Sequence, residues 1–188
     1  MVQARSVETR ERLLSATVEV LVERGYGATS LAAVCRAAGV SKGALLHHFP
    51  TRAELVSAAV EHLFELRRAE FAGRVDGADL EGVLAALWEI YAGPTLSAWL
   101  ELVVAARSDE ELRAAVAGVD ARFLAGASQT FAELFGVSEA EAVVGARLVT
   151  ALLDGLALNR VLTGEDSLGP EVLDAFRPLL TTWLEEKR

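Results

Sequence analysis

One cysteine, Cys35, stands in 188 residues. No internal disulfide can form, and a four-cysteine zinc site is excluded. A reducing, cytoplasmic setting is therefore expected. Histidine is scarce as well: His47, His48 and His62. Adjacent histidines on a helix point about 100° apart and do not readily share one ion, so no metal is expected. Four prolines and 15 glycines are too few for a linker-rich or fibrous chain. Aromatics are 6% of residues, and the alternation that marks half-buried strands is missing. The longest apolar stretch, near 143–158, is cut by Arg147 and Asp154. It falls short of the roughly 20 largely apolar residues of a membrane span, so no membrane association is expected. The first residues, MVQARSVETRERLL, are charged and lack the apolar centre of a secretory signal. Nucleophile-elbow, phosphate-loop and zinc-protease patterns are lacking too, so neither catalysis nor a cofactor is expected.

What is present is apolar and unevenly charged. Hydrophobic residues make up 52%, and mean hydropathy is +0.31. That allows a sizeable core and excludes a disordered tail. The net charge is −9, but it is split. Residues 1–52 carry seven basic and four acidic side chains, a net of +3. Residues 53–188 carry eleven and 23, a net of −12. A basic end can hold phosphates while an acidic body stays clear of a polyanion.

The periodicity is helical throughout. Leu14, Val18, Leu21 and Val22 form one stripe on a helix from about Val7 to Arg24, stopped by Gly25. Thr29 and Ser30 are N-cap types before a second helix, with Leu31, Val34, Cys35 and Ala38 at i, i+3, i+4 and i+7. Gly39 ends it. Ser41 opens a short third helix to about His48, and Pro50 breaks the chain. Thr51-Arg52-Ala53-Glu54 is a capping box for a long fourth helix to about Ala72. Further amphipathic segments fall near 79–92, 95–107, 109–135, 138–163 and 170–186. Ser108 with Glu111 and Ser138 with Glu141 form two more capping boxes.

Residues 30–48 therefore read as helix, tight turn at Gly39-Val40, helix. In a helix-turn-helix the first helix braces the second, whose N-terminal residues reach base edges in the major groove. Val40, Leu45 and Phe49 pack inward against Leu31, Val34 and Cys35. Ser41, Lys42, Ala44, Leu46 and His47 face outward, free of acid. An all-helical binding protein or enzyme with a purely structural hairpin stays open at this point. It has no need of an acid-free face.

The stretch "ERGYGATSLAAVCRAAGVSKGALLHHFPTRAELV" resembles the DNA-binding segment of the TetR family of bacterial transcriptional regulators. The likeness runs from about Arg10 to Val56. It includes the Gly-Tyr-x-x-Thr-Ser entry to helix two, the Ala-Gly-Val-Ser turn, the Lys-Gly-Ala-Leu-x-His-His-Phe recognition helix and the Pro-Thr-Arg-x-Glu-Leu start of helix four. The resemblance implies an all-α protein: a three-helix DNA-binding domain, 1–52, and a helical-bundle ligand-binding and dimerisation domain, 53–188. It implies that Thr29 and Ser30 touch phosphate or cap helix two, and that Ser41 caps helix three and contacts phosphate. Lys42 and Ala44 would lie over base edges, with Gly43 allowing close approach. His47 would meet the DNA backbone, and Arg52 would hold a phosphate. Leu46 replaces the family's usual tyrosine. It cannot donate to phosphate but can pack on a thymine methyl. Ala32 and Ala33 also stand where relatives often carry longer polar residues, which concentrates base reading on helix three.

For the body, the resemblance implies a homodimer, a double-stranded DNA operator and a small effector. Segment 138–163 is apolar nearly all round and must be covered on more than one side. Leu148, Ala151, Leu152, Leu156 and Leu158, with Phe176, Leu180 and Trp183 from the last helix, are candidates for a four-helix dimer interface. A buried central helix in a monomer is the alternative. Phe64, Trp88, Tyr91, Trp99, Phe123 and Asn159 are candidates to line a pocket for a small hydrophobic effector. The same aromatics equally suit an ordinary core, filled in a regulator that answers to a protein partner.

Overall fold

The computed structural model of the chain describes residues 2–75, 78–164 and 168–187. Among these residues there are nine helices and no strand. They are α1 (Val2–Ala28), α2 (Leu31–Ala38), α3 (Lys42–His48), α4 (Arg52–Arg74), α5 (Leu80–Tyr91), α6 (Pro94–Ala106), α7 (Glu110–Phe135), α8 (Glu139–Thr163) and α9 (Gly169–Glu185). None of the described helices is long and apolar enough to cross a membrane. Two compact units divide the chain. One is Met1–Leu66 with Ser97–Val119, and the other is Arg67–Leu96 with Asp120–Arg188. The expected 52/53 boundary falls in the first turn of α4.

In the first unit, α1 packs on α2 and α2 on α3. Leu13, Leu14, Val34, Leu45 and Leu55 have no exposed surface, and Ala16, Ala38, Phe49 and Ala59 complete their cluster. Val40, Leu31 and Cys35 pack against it, as the apolar spacing requires. Gly25 interrupts α1 with φ 73° and ψ 170°, a conformation that glycine adopts without a Cβ clash. Gly39 closes α2 in the left-handed region, φ 62° and ψ 35°. The Arg12 guanidinium, from α1, donates to the carbonyls of Ala38 and Gly39 at that corner.

The caps are mostly those expected. Ser30 accepts from the Ala33 amide, Ser41 from Ala44, and Thr51 from Glu54. Ser138 and Glu141 form a complete capping box. Helix α7 is the exception. Its cap is Asp109, whose Oδ1 accepts from the Leu112 amide at 3.0 Å. The Ser108 hydroxyl instead donates back to the Ala105 carbonyl at 3.4 Å. A carboxylate one residue later competes better for the free amides, because it carries charge against the positive end of the helix.

In the second unit, α5 packs against α8 and α9. Gly145 of α8 lies against the Phe131 ring and Gly169 against Trp88, where a Cβ would overlap the aromatic atoms. Phe131 in turn meets Phe135 and Trp183 edge-on, with ring centres 4.6 and 6.4 Å apart. Arg147 pairs with Asp120 at 3.1 Å, and Arg160 donates to the Ala92 carbonyl at 2.7 Å.

Asp154, also on α8, is half-buried near this pair. Burial pushes its carboxyl up to about 6, the Asp120 charge adds to the rise, and Arg147 opposes it. A carboxyl raised in the native state binds more protons there than in the unfolded chain. The group therefore lowers stability progressively as pH rises from about 4 to 6, and its full cost persists above that window. Asp154→Asn is expected to raise the urea midpoint more at pH 8 than at pH 4. An equal gain at both would show that the charge is not the cause.

The apolar helix α8 divides into an inner and an outer side. Ala142, Ala146, Val149, Leu153 and Ala157 are buried. Val144, Leu148, Ala151, Gly155, Leu158 and Leu162 are exposed and follow one another at four and three residues. Among the interface candidates, Leu148, Ala151 and Leu158 lie on that outer stripe, and Leu152 and Leu156 are half-buried beside it. Leu180 is a correction: it is 2% exposed and belongs to the unit's own core. Phe176 is half-buried, and Trp183 is also half-buried, against Phe131. On α9 the large hydrophobic side chain that is exposed is Leu179, one residue before Leu180.

Candidate nucleic-acid interface

Helix α3 is the element that this packing turns outward. Its buried side is Leu45, with Phe49 just beyond. Ser41, Lys42, Gly43, Leu46 and His47 are exposed, and Ala44 is half-buried. Leu46 is 39% exposed, a large apolar side chain left on the surface of a short polar helix. No carboxylate occurs between Glu23 and Glu54, whereas Arg36, Lys42 and Arg52 all do. The face is therefore free of local repulsion toward a phosphate backbone. Gly43 has open space where a Cβ would stand. At the C-terminal end of α3, the His47 and His48 rings meet edge-on at 5.5 Å. Arg10 of α1 lies over the Phe49 ring at 5.4 Å, an exposed cation beside the recognition helix that the apolar spacing does not reveal.

Two side chains turn inward instead. Thr29 has no exposed surface, and its hydroxyl donates to the Gly25 carbonyl at 2.8 Å. It holds the corner between α1 and α2 and does not reach phosphate, whereas the neighbouring Ser30 is exposed and caps α2. Arg52 is half-buried. Its Nε donates to the Thr29 carbonyl at 2.7 Å, and its Nη2 donates to the Tyr26 carbonyl. Its guanidinium lies 3.9 Å from the centre of the Tyr26 ring. Arg52 thus clamps the backbone of the corner, where the resemblance implied a phosphate. Desolvation raises the Tyr26 phenol above its ordinary range, Arg52 opposes that, and Asp109 and Glu111 add to it. Ala33 is buried under α2, while Ala32 is exposed.

The body candidates fall in both units. In the first, Phe64 and Trp99 meet edge-on at 5.3 Å, Trp99 buried and Phe64 half-buried. In the second, Trp88 is buried on Gly169, Tyr91 is buried and Phe123 is half-buried. Burial and the Asp154 charge hold the Tyr91 phenol neutral far above its ordinary range. Asn159 is exposed on α8, which does not fit a place in an enclosed pocket. Among the described residues no group of three or more His, Cys, Asp or Glu is placed to hold a metal ion.

Comparison with known proteins extends these observations. Residues 13–59 match the description "Bacterial regulatory proteins, tetR family", and residues 91–185 match "BetI-type transcriptional repressor, C-terminal". An uncharacterised HTH-type transcriptional regulator of Mycobacterium tuberculosis is 32% identical, over 97% of each chain. The crystal structure of a transcriptional regulator from Rhodococcus sp. has a TM-score of 0.74 at 25% identity, covering 92% of this chain and 96% of its own. The multidrug binding protein EbrR, complexed with ethidium, has a TM-score of 0.68 at 28% identity, with 89% and 97% covered. An outward, acid-free recognition helix and a likeness that runs the length of the chain thus lead to one assignment: the chain belongs to the TetR family of bacterial transcriptional regulators.

Proposed function

We propose that the protein is a cytoplasmic, ligand-responsive repressor that binds a near-palindromic operator as a homodimer. A small hydrophobic molecule held in the helical body releases it. The exposed face of α3, cationic at Lys42, apolar at Leu46 and free of acid, carries the reading. Ser41, Lys42 and His47 serve the phosphates and base edges, Ala44 and Leu46 the methyl-bearing floor of the groove. A dimer sets two such helices about 34–36 Å apart in successive major grooves. The apolar stripe of α8, with Leu179 of α9, supports self-association.

Release from the operator follows if the effector binds better to a state whose recognition helices no longer match that spacing. The BetI-type match and the likeness to a multidrug binding protein support such an effector site. Trp88, Tyr91 and Phe123, all within the second unit, are the aromatic groups that would line it.

Selection of bound DNA from a random duplex pool, at one stated salt concentration, tests the reading. An inverted repeat is the expected product. A folded dimer that enriches no site, as purified and after extraction of any bound small molecule, would overturn it. Lys42→Ala is expected to weaken the recovered site. A loss shared by all sequences, with the salt slope reduced by about one, marks a phosphate contact. A loss of about 1–3 kcal/mol confined to one base pair marks a base contact. No change in either would remove Lys42 from the interface.

A further inference from the structure

The corner between α1 and α2 is gripped from two sides by charged side chains distant in sequence. The break at Gly25 deprives the Tyr26 amide of its place in the α1 ladder, leaving a free donor at the start of a single helical turn, Tyr26–Ala28. Glu101 of α6 takes it: its Oε2 accepts the Tyr26 N–H. The same carboxylate fills the space beside Gly25, where a Cβ would stand 2.5 and 2.7 Å from its two oxygens. Arg52 holds the opposite side, the carbonyls of Tyr26 and Thr29. Each charged group binds backbone. Glu101 belongs to the segment Ser97–Val119, which shares one compact unit with α1, α2 and α3.

We propose that Glu101 is a positioning residue for operator binding, which fixes the α1–α2 corner, and through it α2 and α3, against helix α6. The physical reason is leverage. Ser30 caps α2 directly after the corner, and α3 follows α2 through the rigid turn at Gly39. A small rotation at Tyr26 is carried to every side chain of the recognition helix. Stability depends little on the bond. Glu101 is exposed and Tyr26 half-buried, so water can replace the lost acceptor. Orientation depends on it, because water holds an amide without holding it in place. The inference rests on α3 being the helix that meets DNA.

The test compares Glu101→Ala with Glu101→Gln. The glutamine keeps an acceptor oxygen of nearly the same reach and loses only the charge. Glu101→Ala is expected to lower operator affinity about five- to twenty-fold at an unchanged salt slope. Its affinity for random duplex should stay at the wild-type value, since no phosphate contact is removed. Glu101→Gln is expected to restore operator binding to within about twofold. Wild-type operator affinity in Glu101→Ala, or an equal loss in both variants, would overturn the proposal. Amide hydrogen exchange on the unaltered protein keeps the test independent of whether Glu101→Ala folds. The Tyr26 amide should be protected, and exchange at the rate of a free amide would overturn the bond itself. Protection at Tyr26 in a protein that enriches no operator would fault the DNA reading and leave the contact standing.

Discussion

Leu148→Glu combined with Leu158→Glu is expected to produce a folded monomer that no longer holds its operator. Leu148 and Leu158 are 46% and 45% exposed, so glutamate there remains hydrated within one chain and costs the fold little. In a dimer both lie on the α8 stripe with Val144, Ala151, Gly155 and Leu158's neighbour one turn on, Leu162. Pairing that stripe with a second copy would bury four carboxylates against apolar surface. Losing the proposed dimer would break the link between two half-sites. Affinity should then fall from the range of specific complexes, about 10⁻⁸–10⁻¹¹ M, toward the non-specific range of about 10⁻⁴–10⁻⁶ M. Light scattering with operator titration checks both parts. A dimer that survives both glutamates would place the interface elsewhere. The stripe alternates at four and three residues, the pattern of two packed helices, so single substitutions are expected to act in the same direction but less completely.

Leu45→Ala is expected to abolish operator binding from the side of α3 that never meets DNA. Leu45 has no exposed surface and sits among Leu13, Leu14, Val34, Phe49 and Leu55. Truncating a buried leucine costs about 2–5 kcal/mol, because lost apolar burial and an unfilled cavity add. A domain of this kind is stable by about 5–15 kcal/mol in all, so the recognition helix loses much of its support. The adjacent Leu46→Ala supplies the contrast. Leu46 is 39% exposed and its loss should move stability by no more than about 0.5 kcal/mol, while sites rich in thymine at its base step lose preference. Urea denaturation and binding-site selection on the two variants separate support from readout. An unchanged urea midpoint in Leu45→Ala, or an unchanged site preference in Leu46→Ala, would refute the respective assignment.

Much of the architecture is legible along the chain because it is local. Gly25, Gly39 and the Ser30, Ser41, Thr51 and Ser138 caps act within four residues of the backbone they shape. The inward set of the helix-turn-helix follows from a clear period, since a helix with one apolar stripe has one way to face its core. Elsewhere local rules run out. At the start of α7, Ser108 and Asp109 are both suitable caps one residue apart. Charge at the helix end decided between them. Helix α8 is apolar almost all round, so its pattern does not say which side its own bundle covers. Phe131 against Gly145 settles that, leaving Leu148 and Leu158 outside. On α9, Leu179 and Leu180 are consecutive and chemically identical. One is 67% and the other 2% exposed, because neighbours cover only one side of the helix.

The sequence by itself determined an all-helical chain, most of its breaks and caps, and an acid-free recognition helix, for these depend on residues within a turn of one another. Only the tertiary structure decided what the long charged side chains do. Arg52 is drawn into the corner by the Tyr26 and Thr29 carbonyls, and Glu101 reaches the Tyr26 amide across 75 positions. A backbone group left free by a broken helix can be satisfied by any charge that folding brings within reach. Sequence spacing does not encode which one arrives.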